Sequence, residues 1–229
     1  MIPQQKDKKN KFVYIYIILF ILITSINNKN FHDKEFFSSE LTFNINGLPE
    51  ADNQELKRDL INLNKDNIFR LDKKKLLEKI TENNLVLNFL AKKNYPNEIK
   101  IEINKATYVG KIYKDERLYL IGSNGKLINR YVNNMSNLPY FYGNFKREEF
   151  LEFLSVINKN NLETKDISSL YFFPSGRWDI KFRNGLLLRL PNNDLTNILP
   201  KALLLKNDQN FKNSKLIDLR IKNRVISDE

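Results

Sequence analysis

Residues 12–26 read FVYIYIILFILITSI, fifteen positions without a charge in a chain otherwise full of Lys and Asn. A segment like this has few ways to fold. About 20 apolar residues at 1.5 Å each are needed to cross a hydrocarbon core about 30 Å thick. Fifteen falls short, so a retained anchor, a cleaved signal sequence and a buried helix all stay open. Three details favour the anchor. Thr24, Ser25 and Asn27 extend the helix into a head-group layer, Tyr14 and Tyr16 sit near one end, and the following NNKNFHDKEFF offers no small-x-small cleavage site. Lys6, Lys8, Lys9 and Lys11 stand before the stretch against one acid, Asp7. By the positive-inside rule they keep the N-terminus in the cytoplasm, with the bulk of the chain exported. The expectation is a cytoplasmic tail over residues 1–11, a transmembrane helix over 12–28 and a polar connector over 29–40, with Phe36 and Phe37 near the membrane or packed on the body.

The remaining two hundred or so of the 229 residues fit one large or two small domains. There is no Cys, and His32 in the connector is the only His. A disulfide framework, a thiolate site, a His-based triad and a zinc or iron–sulfur site are therefore ruled out of the expectations. The formal charge is +11. A nucleic-acid binder would cluster that charge with aromatics between, but here the lysines run along the whole chain. The simplest reading is a coding bias toward Lys, Asn and Ile, with attraction to an anionic membrane surface second.

A first unit starts at Leu41. Leu41, Phe43 and Ile45 alternate with polar residues as a strand with one buried face, ended by Gly47-Leu48-Pro49. Asp52 and Glu55 have the spacing of an N-cap and its reciprocal partner, followed by Leu56, Leu60 and Leu63 at helical spacing. An extended link, Ile68-Phe69-Arg70-Leu71, leads to a second helix capped by Asp72, with Leu76, Leu77 and Ile80 inward. Leu85, Leu87 and Phe89 alternate as a strand. Tyr95-Pro96-Asn97 turns, and Ile99, Ile101 and Ile103 alternate cleanly with charged residues. The order is strand, helix, helix, strand, strand over residues 41–107.

The second unit, residues 108–229, reads as hairpins with two helices. Residues 108–113 and 117–121 are strands. Asn124-Gly125 signals a type I′ turn to Leu127-Ile128, and Leu138-Pro139 with Gly143 marks a loop. Phe150, Phe153, Leu154 and Ile157 share one helix face. Leu170 opens another strand. Trp178, Ile180 and Phe182 turn at Asn184-Gly185 into Leu186, Leu188 and Leu190. A helix carrying Leu195, Ile198, Leu199, Ala202 and Leu203 is started or kinked by Pro200. The fold class is therefore α+β: one transmembrane helix, a strand-helix-helix-strand-strand unit, and a mainly antiparallel β unit with two helices.

Candidate chemistry is sparse. Gly122-Ser123-Asn124-Gly125-Lys126 fails the phosphate-loop spacing, with Leu127 where a metal-holding hydroxyl belongs. Ser175 lacks a nucleophile elbow. Asp115 and Glu116, flanked by Lys114 and Arg117, read as a charged turn. Trp178, the one Trp, reads as core or as a partner-binding hot spot. The most suggestive stretch is the last one, where Ile217, Leu219 and Ile221 alternate in a strand that reaches Ile226. At a sheet edge it would offer open backbone groups to an extended segment of another protein.

Several local matches give the chain a resemblance to the FtsQ/DivIB family of bacterial cell-division proteins. Phe43-Asn44-Ile45-Asn46-Gly47 is similar to the family's opening strand-Gly, and Asn67-Ile68-Phe69-Arg70-Leu71-Asp72 to its "nIF-lD" segment. Tyr95-Pro96 with Ile99-Lys100-Ile101-Glu102-Ile103 is similar to its "r-P-L-I-V" hairpin. Gly125-Lys126-Leu127-Ile128, Leu138-Pro139 with Gly143, and Arg177-Trp178 with Gly185 resemble "G-v-f", "LP-l-G" and "rW-l-l-nG". Ile217-Asp218-Leu219-Arg220 with Arg224 resembles the terminal "iDLR---R". Asn104, Thr107 and Gly122 depart from the usual Glu, Pro and Asp around the junction.

The resemblance implies a basic tail, one anchor in the inner membrane, a POTRA domain (41–107), a β domain (108–229) and no catalytic group. It implies a scaffold at the septum that links early and late division proteins, with no cofactor, nucleic acid or small-molecule substrate. The terminal strand, with Leu219, Arg220, Ile221, Lys222, Asn223, Arg224, Val225 and Ile226, would recruit a coiled-coil partner of the FtsB/FtsL type by strand addition. Asn223→Pro would then remove a ladder donor. The alternative function is an exported POTRA-type transport or chaperone component handling unfolded polypeptide. A third, an anchored nucleic-acid binder, requires affinity that falls steeply with salt.

Overall fold

The computed structural model describes residues 8–25, 40–63, 68–130, 132 and 135–228. The expectations for residues 1–7, for 26–28 of the predicted span and for the connector up to residue 39 lie outside these, as do those for Asn67. Helix α1 (Lys8–Ser25) takes in residues 12–25 of the apolar stretch, and residues 12–24 are exposed. It corrects the expected transmembrane span: among the described residues no helix is long and apolar enough to cross a membrane. Lys8, Lys9 and Lys11 fall within its first residues. The uncharged remainder rises about 21 Å at 1.5 Å per residue, against about 30 Å of hydrocarbon.

The first unit is built on β3 (Glu98–Lys105), flanked by β1 (Thr42–Asn46) in parallel and β2 (Val86–Asn94) antiparallel. Phe43 lies beside Ile99 and Ile45 beside Ile101, and all four are buried. Helices α2 (Glu50–Leu63) and α3 (Lys73–Glu82) cover that face with Leu56, Leu60, Leu76 and Ile80. Leu63 and Leu77, expected inside, are exposed. Asp72 caps α3 as expected, accepting from the Lys74 and Lys75 amides. Asp52 does not cap α2. It lies inside the first turn, buried, while Asn53 ties the turn down by bonding both the N–H and the C=O of Leu48. The alternation in β2 is also shifted. A bulge between Val86 and Asn88 buries the adjacent pair Leu85 and Val86 and turns Leu87 outward.

Among the described residues the second unit is a mixed sheet of nine strands in the order β12-β11-β10-β9-β8-β7-β4-β5-β6. They are β4 (Tyr108–Lys114), β5 (Arg117–Gly122), β6 (Leu127–Ile128), β7 (Tyr140–Tyr142), β8 (Ile167–Phe172), β9 (Trp178–Phe182), β10 (Leu187–Arg189), β11 (Leu216–Asp218) and β12 (Ile226–Ser227). It is less antiparallel than expected, because β7 runs parallel to β4 and β8, and β10 parallel to β11. Parallel neighbours need a long crossover. Helices α4 (Arg147–Lys159) and α5 (Leu195–Asn207) are those crossovers, between β7 and β8 and between β10 and β11. Both pack on one face, where Phe150, Phe153, Leu154, Ile157, Leu199 and Ala202 meet Trp178, Ile180, Phe182, Leu188 and Ile217. Pro200 lies within α5 rather than at its start.

The hairpins are as expected, but one turn type is not. Asp115 and Glu116 both have positive φ, so the primed turn is at the charged pair. At Ser123-Asn124-Gly125 only Gly125 does, and Gly122 and Lys126 close a three-residue loop. Asn124 is buried instead. Its Nδ2 donates to the carbonyls of Asn84 and Val86, each at 2.9 Å, and so pins the second unit to the first. Leu120 and Ile128 complete that contact by packing into the first unit's apolar cluster.

Candidate functional site

The outer face of β8–β11 carries every second residue: Tyr171, then Asp179 and Lys181, then Leu187 and Arg189, then Leu216 and Asp218. Their neighbours Leu170, Ile180, Leu188 and Ile217 are fully buried on the helix side. Alternation in a pleated sheet therefore gathers charge on one surface from four separate segments. The result is a groove of about 590 Å³ beside the C-terminal edge, lined by five cations, Arg177, Lys181, Arg189, Lys215 and Arg220, against Asp179 and Asp228.

Two carboxylates lie under the arginines, Asp179 at 3% and Asp218 at 5% exposure. Their environments differ. Arg220 grips Asp218 with its Nη2 on Oδ2 at 2.6 Å and its Nε and backbone N–H on Oδ1 at 2.9 and 3.0 Å. That guanidinium holds the Asp218 carboxyl below its ordinary range. Among the described residues Asp179 receives one long contact, from Arg177 Nε at 3.4 Å, and burial pushes its carboxyl up despite Arg177, Arg189 and Arg220 nearby. With Arg189 3.8 Å from Asp218, the acids hold three guanidinium groups in fixed positions while leaving a cationic surface. Such a surface recognises carboxylates. Among the described residues, no group of His, Cys, Asp or Glu is arranged to hold a metal.

The expected terminal strand is corrected. It is not one strand through Ile226. β11 stops at Asp218, where Arg220 turns back onto the Asp218 side chain. The chain reverses through Asn223 at φ 59°, and β12 folds antiparallel onto β11 with Asp218 opposite Ile226. Leu219 tucks against the core, while Ile221, Val225 and Ile226 are about half exposed; Lys222, Asn223 and Arg224 are exposed and the Arg224 N–H donates to Ile221 O. Trp178 is core. It is 4% exposed and stacked on Phe153 at 4.3 Å between centroids, with Phe141, Phe145 and Phe172 around it, so it offers no surface to a partner.

Among the described residues no strand pairs with the outer edge of β12. Leu187 N–H donates to Lys215 O and Leu219 N–H to Arg189 O, so the odd positions of β11 face β10. Asp218 then faces β12 and pairs with Ile226, and the backbone groups of Ser227 point outward. Sequence reasoning missed Asp179, Lys181 and Arg189. Their signal was a charged residue between buried apolar neighbours, as in Trp178-Asp179-Ile180-Lys181-Phe182.

Residues 112–220 match a family model described as cell division protein FtsQ/DivIB, C-terminal. The chain is similar to cell division protein FtsQ of Bradyrhizobium diazoefficiens, 24% identical over 159 residues, which cover 68% of this chain and 46% of that protein. It therefore spans under half the length of that relative. It is also similar to cell division protein DivIB of Clostridium tetani, 26% identical over 185 residues, covering 70% of this chain and 68% of that one. A solved structure of the major extracytoplasmic domain of DivIB from Geobacillus stearothermophilus overlaps 45% of this chain and 98% of its own, at a TM-score of 0.32 and 13% identity.

Proposed function

We propose, on the premise that residues 112–220 belong to the FtsQ/DivIB family of cell division proteins, that this chain is a non-enzymatic scaffold of the division septum. Residues 41–107 form its POTRA domain and meet other divisome proteins, and residues 108–229 form its β domain. The C-terminal hairpin recruits a coiled-coil partner of the FtsB/FtsL type by strand addition. The observation that carries this is the open outer edge of β12 beside the five-cation groove. An extended segment pairs its main chain with β12 while its acidic side chains reach Arg177, Arg189 and Arg220. Leu219, Arg220, Ile221, Lys222, Asn223, Arg224, Val225 and Ile226 contribute as the hairpin that presents this edge.

The geometry changes the test. Asn223 at φ 59° is a turn residue that proline cannot replace, whereas Ser227 lies in the edge strand with its N–H outward. Ser227→Pro is expected to leave the far-ultraviolet circular dichroism unchanged and to weaken capture of the purified FtsB/FtsL-type partner at least about tenfold. Full capture by Ser227→Pro rules out edge pairing. Localisation is read with a fluorescent tag on the N-terminus, away from this edge, and a band at mid-cell is expected.

A further inference from the structure

The end of the first unit where the chain enters it carries two exposed aromatic rings. Asn97 Nδ2 donates to Glu40 O, and the Thr42 N–H donates to Asn97 O, so the Tyr95-Pro96-Asn97 turn lies beside the entry into β1. Phe69 packs on Tyr95 at 5.6 Å between ring centroids, and Lys93 Nζ donates to Ile68 O at 2.7 Å. These contacts hold the link before α3 against that turn. Phe69 is nevertheless 54% exposed and Tyr95 62%.

Charge surrounds the rings. Residues 69–75 read FRLDKKK, four cations against Asp72. Lys73, Lys74 and Lys75 fill the first turn of α3, and all three are exposed. A helix N-terminus carries partial positive charge, so three lysines in that turn oppose the dipole. The fold offsets little of this cost. Lys75 lies 3.8 Å from Asp72 and Lys74 3.9 Å from Glu78, exposed pairs of small worth, and Lys73 has no ion pair among the described residues. Glu98, next to the turn, is engaged by Asn44 and Asn94. A local cost without a return inside the fold points to an anion met from outside.

We propose that this end of the first unit docks on an anionic phospholipid surface, with Phe69 and Tyr95 in the head-group layer and Lys73, Lys74 and Lys75 over the lipid phosphates. Aromatic rings favour that layer, and basic residues close to it gain from its negative potential. The chain exposes a second apolar element, Phe12 to Ile23 of α1. Residues 26–39, about 50 Å long when fully extended, join that helix to the entry beside Tyr95, so lipid that takes up α1 side chains is within reach. This surface is separate from the β12 edge and needs nothing of the role given to that edge.

The test uses the full chain carrying Tyr95→Trp, which keeps an aromatic ring and adds an indole at the surface; the native chain, whose Trp178 is buried, sets the baseline. Vesicles with brominated acyl chains are titrated in, made of phosphatidylcholine alone or with about one-third phosphatidylglycerol. Quenching of the new indole is expected on the mixed vesicles only, whether or not α1 brings the chain to both. Lys73→Gln with Lys74→Gln should weaken that titration about thirtyfold, with folding checked by circular dichroism. Lys114→Gln with Arg117→Gln, exposed in the β4–β5 turn, removes the same charge and should change nothing. Absence of quenching on the mixed vesicles, equal quenching on the neutral ones, or an equal loss in the β4–β5 variant overturns the proposal. So does a response of the new indole to polyglutamate when the vesicles give none, which would make the occupant an acidic protein.

Discussion

Gly47 and Gly185 both sit at positive φ, +110° and +95°, yet they are under different constraints. A Cβ on Gly47 would lie 1.8 Å from the Ile103 carbonyl oxygen, so β1 could not stay paired with β3; a Cβ on Gly185 meets nothing within 4 Å. Gly47→Ala is expected to cost at least about 2 kcal/mol and Gly185→Ala about 1 kcal/mol, from urea midpoints. Asp218 gives a second residue-scale prediction. Its folded pKa lies below its ordinary 3.8, so its contribution to stability is complete above that value and is lost as pH falls through the lower folded value. Asp179 works in the opposite sense, since burial raises its pKa and protonation favours the folded state. Asp218→Asn should cost about 2 kcal/mol at about pH 7, and the difference from the native chain should shrink by about pH 3.

At the scale of elements, the short strands depend on what they adjoin. β6 and β12 are two residues each and are held by a turn and a neighbour. The turn before β6 is fixed by Asn124, which satisfies two carbonyls of another unit and accepts the Lys126 N–H at 3.0 Å. Lys126 reaches on to the Thr81 carbonyl at the end of α3. Asn124→Ala removes the Nδ2 donor from both carbonyls and is expected to cost about 2 kcal/mol. Amide hydrogen exchange should then speed up in β6 and at the start of β2, but not in β9 or β10. Uniform acceleration would mean that Asn124 supports the whole fold rather than this junction.

Across the whole molecule, β5 is the shared wall. Leu120 faces the cluster of the first unit and Ile121 that of the second, both essentially inaccessible. Trp178, in the second core only, is the one intrinsic indole probe. Leu120→Ala is expected to cost about 3 kcal/mol and to shift the Trp178 fluorescence and circular dichroism transitions together. A shift in circular dichroism with Trp178 unmoved would show that the units unfold separately.

Local sequence determined the elements whose side chains repeat cleanly. Ile99, Ile101 and Ile103, the α4 face, and the Trp178-to-Leu190 hairpin could be read from period alone, because one buried face leaves one register. The "iDLR" and "rW" matches carried the resemblance to the FtsQ/DivIB family. Tertiary structure decided the rest. The bulge at Val86 breaks period two, the parallel crossovers depend on neighbours distant in sequence, and Asn124 is buried because a second unit stands against it. The terminal stretch kept its alternation but not its strand. Asp218 is covered by Arg189 and Arg220, and that pairing turns the chain where apolar period alone would have continued it. Residues 12–25 of the apolar stretch form a helix, and the lysines within its first turns set its uncharged length below a membrane's thickness.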